Sequence, residues 1–89
     1  MIQLAQIMKD RTYPESGSVL YDSIAPLLAQ DEKVALDLDG VIALPSMFLN
    51  ASIGVAANEF GVDTVKRNVV FYHVSKTQAE RLREYFSRL

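Results

Sequence analysis

Two aspartates, Asp37 and Asp39, stand one residue apart at the end of the apolar run Val34-Ala35-Leu36 and just ahead of Gly40. Two carboxylates so placed could serve phosphate transfer at a strand end. A divalent cation would offset the repulsion between these carboxylates and the phosphate. The same two side chains can equally accept backbone N–H bonds and fix the turn after the strand. Ser46 closes this stretch where a helical apolar periodicity begins, so its hydroxyl is either a helix cap or a group open to modification.

Other chemistry-bearing residues are few. His73 lies in an apolar run, without a cysteine or second histidine in the chain, which favours a packed or edge histidine over a metal ligand. Arg11, in the loop before the first helix, is a candidate contact for an anion or a partner, and the alternative is a solvated loop arginine. Tyr13 and Pro14 would form a lip of the same surface. Glycine-rich phosphate loops and Ser/His/Asp arrangements are absent. With no cysteine, disulfide frameworks, zinc–thiolate sites and thiol nucleophiles are excluded.

The elements that must position these residues follow from periodicity. Ile2 to Met8 reads as a short strand, and the polar stretch from Lys9 to Gly17 as a loop. From Ser18, the residues Leu20, Ile24, Leu27 and Leu28 recur at helical spacing, with Pro26 predicting a kink or restart. Asp31-Glu32 turns the chain into a strand from Lys33 to Asp39, with Val34, Leu36 and Leu38 on one face and Ala35, Asp37 and Asp39 on the other.

A second helix spans Ser46 to Phe60, carrying Leu49, Ile53, Ala56 and Phe60 on one face and ending at Gly61. The small residues Ala51, Gly54 and Ala57 leave room for close packing against a sheet. Asn68 to Val74 is β-branched and aromatic, a third strand. Ser75-Lys76-Thr77-Gln78 has the spacing of a capping box and opens a last helix with Ala79, Leu82, Phe86 and Leu89 on one face. Lys76 with Glu80 and Glu84 with Arg88 are charge pairs outside it. The order β-α-β-α-β-α, with short connections, implies an α/β fold with a mainly parallel sheet and packed helices.

Composition agrees with a single soluble domain over residues 1 to 89. Hydrophobic residues are 49 % and charged residues 22 %, the profile of a chain that folds without metal or crosslinks. Residues 1–65 carry three Lys/Arg against nine Asp/Glu, and residues 66–89 carry six against two. No aromatic residues interleave with these cations in a stacking pattern, so a solvated terminal helix is expected and not a nucleic-acid surface. No apolar run approaches the roughly 20 residues that span a bilayer, and no leader pattern is present at the N-terminus. No membrane attachment and a cytoplasmic location are the expectation.

Locally, Asp37-Leu38-Asp39-Gly40 resembles the first motif of haloacid dehalogenase-like phosphatases, which would make Asp37 the nucleophile and Asp39 the general acid. That family also requires a further acidic pair for magnesium. After Asp39 the acidic residues are Glu59, Asp63, Glu80 and Glu84, and no two are adjacent.

A longer stretch, residues 34–61, resembles the central strand, loop and helix of STAS domains. It is most similar to a small bacterial STAS-like family of unknown function whose pattern is a Leu-Asp-Phe-x-Gly-Val run followed by Ser-Phe. Here the run is Leu36-Asp37-Leu38-Asp39-Gly40-Val41, and Met47 stands between Ser46 and Phe48. The resemblance implies a non-catalytic regulatory module, related to anti-sigma factor antagonists and needing no cofactor. It also implies a protein partner such as an ATPase-fold, histidine-kinase-like anti-sigma kinase, and a phosphorylated serine at the start of the helix, for which Ser46 is the candidate. The expected contact set is Ser46 with Pro45, Met47, Asn50, Asp39 and Arg11. A phosphatase-like enzyme using Asp37 and Asp39, and a structural module that homodimerises, are the alternatives.

Overall fold

The computed structural model describes residues 1–89 and contains a three-stranded parallel sheet in the order β1-β2-β3. β1 is Ile2–Gln3, β2 is Val34–Asp37 and β3 is Val69–Tyr72. Ile2 pairs with Leu36, and β2 pairs along its whole length with β3, from Val34 opposite Val69 to Asp37 opposite Tyr72. Parallel neighbours require crossovers, and the sequence supplies helices for both. The expected α/β class with a parallel sheet is observed.

The first strand is shorter than its sequence suggests. Only Ile2 and Gln3 pair, and Leu4–Met8 forms a helical turn, α1. Leu, Ala, Gln and Met are among the better helix formers, so nothing holds this segment extended beyond the two pairing residues.

The expected loop over residues 9–17 is also shorter, because α2 spans Tyr13–Ala29. Thr12 caps it, its side chain accepting from the Glu15 N–H at 3.3 Å, and Pro14 occupies the first turn where a missing N–H costs nothing. Leu20, Ile24 and Leu28 form its buried stripe. The helix runs through Pro26 without a restart. Pro26 and Asp22, whose carbonyl loses its partner, both face solvent, where water replaces the bond.

The second crossover is helical from residue 46 to residue 68 except at Gly61. α3 is Ser46–Leu49, a π-helical turn covers Asn50–Gly54, α4 is Val55–Phe60 and α5 is Val62–Asn68. Gly61 breaks the run with φ 95°, a conformation that only glycine adopts cheaply. α5 gave little sequence signal, because Val62 and Val65 are its only apolar residues. β3 begins at Val69 and stops at Tyr72, so the expected strand over residues 68–74 loses both ends. His73 turns the chain with φ 56°.

α6, Lys76–Ser87, starts with the anticipated capping box: Ser75 Oγ accepts from the Gln78 N–H and Gln78 Oε1 from the Ser75 N–H. Arg88 pairs with Glu84 at 2.9 Å.

The core lies between the helices and one face of the sheet, with Val34, Leu36, Leu38, Phe48, Ile53, Ala56 and Val65 almost wholly buried. Phe86 of α6 meets Phe71 edge-on, with ring centroids 6.0 Å apart. The small residues of the second crossover pack against helices and not against the sheet. A Cβ on Gly17 of α2 would lie 2.5 Å from Ala51 Cβ, and one on Gly54 would lie 2.9 Å from the Tyr85 hydroxyl of α6. On the opposite sheet face, Ala35 and Asp37 are half-buried while Gln3, Val70 and Tyr72 are exposed.

Candidate functional site

The C-terminal ends of β2 and β3 open onto the segment 38–45, the usual place for a site in a parallel sheet. Asp37 is the first anchor. Its Oδ1 accepts the Asp39 N–H at 2.9 Å and meets His73 Nδ1 at 2.8 Å. The Asp37 side chain is 13 % exposed and the His73 ring 64 % exposed. The Asp39 N–H, and after it His73, hold the Asp37 carboxyl below the usual carboxylate range. Asp37, by hydrogen bond and by charge, raises His73. His73 was therefore misplaced by sequence reasoning: its left-handed backbone aims the imidazole back at Asp37 as an ion-pair partner, and the residue is neither packed nor in the strand. Asp37 is turn scaffold, as one of the two sequence readings has it.

From Leu38 the chain makes a tight turn, with the Val41 N–H bonded to the Leu38 carbonyl and Gly40 at φ 83°. Two side chains of α6 then pin the segment from behind. Gln78 Nε2 donates to the Val41 carbonyl at 2.7 Å, Arg81 Nε to the Leu44 carbonyl at 3.1 Å, and Arg81 Nη2 to Ser46 Oγ at 2.7 Å. Neither Gln78 nor Arg81 stands out in the sequence as a site residue, because their partners lie 37 and 35 to 37 residues away and are mainly backbone atoms. Leu44 turns inward and is buried, whereas Ile42 is 97 % exposed and Met47 57 % exposed. The segment is thus a rim tied from behind to α6, with Ile42 facing solvent.

Ser46 does not cap the helix. Pro45 is the N-cap residue, its carbonyl accepting from the N–H groups of Phe48 and Leu49, and Ser46 is the first helical residue. The Ser46 hydroxyl instead lies against Arg81 at the edge of a cavity shared with Asn50, Tyr85 and Arg88. Asn50 Oδ1 accepts from the Tyr85 hydroxyl at 2.9 Å, and burial pushes the Tyr85 pKa up. Arg11 donates to the Ile7 carbonyl at the end of α1 and lines a separate groove with Met8, Tyr13, Val41 and Ile42. The structure therefore brings together Pro45, Ser46, Met47 and Asn50, while Arg11 lies on the other side of Ile42. The Asp39 side chain is exposed and takes no hydrogen bond, so of the two aspartates only Asp37 holds the turn. No group of three or more His, Asp or Glu side chains is arranged to hold a metal ion.

A family model described as a STAS-like domain of unknown function, DUF4325, matches residues 16–79. The chain belongs to this STAS-like family. The matched residues run from the first turn of α2 to the start of α6, and so include β2, the rim and β3. No curated protein and no solved structure gives a match. No helix is long and apolar enough to cross a membrane.

Proposed function

We propose that this STAS-like domain is a non-catalytic interaction module that binds a signalling protein through the rim Gly40–Pro45 and the helix start at Ser46. The observation that carries the reading is Ile42, 97 % exposed on a segment whose backbone is tied down by Gln78 and Arg81. A large aliphatic side chain held out on a rigid loop loses little conformational freedom when a partner covers it. Met47, the residue after Ser46, is also exposed. A kinase of ATPase fold is the partner that the family resemblance suggests. Transfer of the γ-phosphoryl group of ATP to Ser46 Oγ would release ADP and the hydroxyl proton. The product carries about −1.5 to −2 charge at the edge of this surface, enough to change which partner state is favoured.

The test is recovery of bound proteins from the native host with the wild type, Ile42→Asp and Ser46→Asp, followed by titration calorimetry on the purified partner. Covering an isoleucine side chain is worth about 1.5–3 kcal/mol, so Ile42→Asp should weaken binding by roughly 10- to 150-fold. Equal binding by all three proteins, with no phosphoserine detected at Ser46, would sink the reading. The open sheet face bearing Val70 and Tyr72 supports a second reading, homodimerisation, which sedimentation of the wild type and Tyr72→Glu would reveal.

A further inference from the structure

A cavity of about 270 Å³ separates the start of α3 from the outer turns of α6, walled by Ser46, Asn50, Arg81, Glu84, Tyr85 and Arg88. Drug-sized ligands occupy sites of about 300–1,000 Å³, so this one suits a small headgroup. Its charged wall holds two guanidinium groups against one carboxylate. Arg81 is set in place by its bonds to the Leu44 carbonyl and Ser46 Oγ. A guanidinium carries five N–H donors, so three remain for a ligand. Arg88 stands on the exposed rim with Glu84 as its partner at 2.9 Å. The Asn50 amide oxygen is taken by Tyr85, which leaves the amide N–H groups free to donate.

We propose that this cavity is a phosphate site, binding the dianionic group of a small phosphate ester between Arg81 and Arg88 with the Asn50 amide as a neutral donor. Planar guanidinium groups meet phosphate oxygens two at a time, which favours phosphate over a spherical anion. Glu84 is the built-in competitor, since an entering phosphate exchanges for its carboxylate on Arg88. The phosphate has two sources. It arrives on a free ester, or it is carried by Ser46 itself, whose oxygen already touches Arg81. Only the covalent source rests on the switch proposed above.

The experiment is a titration of the full chain with inorganic phosphate at constant ionic strength, followed by the amide resonances of Asn50 and the Nε–H resonance of Arg81. Saturable shifts are expected, weakened about tenfold in Arg88→Gln, where one charge-assisted pair is lost, and strengthened in Glu84→Gln. Glu84 on α6 and Arg88 at its C-cap are both exposed, with only each other as ionic partner, so folding is preserved where Arg81→Gln could disturb the rim. A second arm uses protein carrying phosphoserine at position 46 by semisynthesis. Phosphoserine that blocks inorganic phosphate and moves the same Arg81 resonance assigns the site to both sources, whereas unchanged binding assigns it to the free ester. Shifts that stay linear and are identical in wild type, Arg88→Gln and Glu84→Gln would overturn the proposal. Phosphate binding that persists while no protein partner depends on Ile42 refutes the interaction reading and leaves the pocket standing.

Discussion

Gly17→Ala tests the tightest of the glycine contacts. Alanine is normally the better helix former, by about 1 kcal/mol, and Gly17 sits inside α2, so propensity alone predicts stabilisation. The structure predicts the opposite. The new Cβ would lie 2.5 Å from Ala51 Cβ and 2.9 Å from the Phe48 carbonyl oxygen, where carbon atoms ordinarily rest about 3.5–4.0 Å apart. Neither neighbour can rotate away, because one is backbone and the other a Cβ. α2 and the helical segment around residues 48–51 must therefore separate by more than an ångström. Overpacking of this kind costs about 1–3 kcal/mol, and the doubled contact places it at the upper end. Subtracting the propensity gain leaves a net loss of about 2 kcal/mol, or a fall in Tm of roughly 8–16 °C for a chain of this length. Differential scanning calorimetry reads it directly. Adding Ala51→Gly removes the Cβ–Cβ overlap but not the overlap with the carbonyl, so the double variant should recover only part of the loss. An unchanged or higher Tm for Gly17→Ala, with no coupling to position 51, would refute the reasoning.

Three further outcomes follow from other contacts. Phe48 is wholly buried, and Phe48→Ala should lose about 3–5 kcal/mol in urea unfolding. Ser75→Ala breaks the capping box and should cost about 0.5–2 kcal/mol in the same assay. The Asp37–His73 pair gives stability a pH window. The raised His73 contributes fully below its unfolded value of about 6.5, and its contribution disappears as pH rises through the higher folded value. The lowered Asp37 contributes above its unfolded value of about 3.9, and its contribution is lost as pH falls through the lower folded value. Urea midpoints should thus be highest between these limits, and His73→Asn, which tolerates the left-handed backbone, should remove the alkaline decline. A midpoint that stays flat from pH 5 to pH 9 in the wild type would show that the pair contributes nothing.

What the sequence made legible was whatever depends on local pattern. The alternation of Val34, Leu36 and Leu38, the stripe of Leu20, Ile24 and Leu28, and the Ser75–Gln78 box all appear as read, because burial and capping act within a few residues. The family assignment rested on the stretch around Leu36–Val41 and lies inside the matched range. What stayed hidden depends on distant partners. α1 is too short, and α5 carries too few apolar positions, to show a helical period. The role of His73 follows from a backbone angle and from a carboxylate 36 residues earlier, and the roles of Gln78 and Arg81 from carbonyls 37 residues earlier. Ser46 was legible as a helix start, but its hydroxyl could not be assigned to Arg81 without the packing of α6.

The π-helical turn at Asn50–Gly54 gives the extra Met47 a structural meaning. A π turn closes its hydrogen bond one residue later than an α turn, and so absorbs about one residue without displacing the helix beyond it. The chain departs from the pattern it resembles by one residue, Met47, five positions upstream of the middle of that turn. Ser52 steadies the widened turn, its hydroxyl donating to the Phe48 carbonyl at 2.8 Å. Beyond the turn Ile53, Ala56 and Ala57 are buried, while Ser46 and Met47 before it face solvent. Deleting Met47 should restore an ordinary α turn and leave the downstream packing intact. The rim would then present a different side chain beside Ser46, which under the interaction reading proposed above would change recognition without changing how the domain folds.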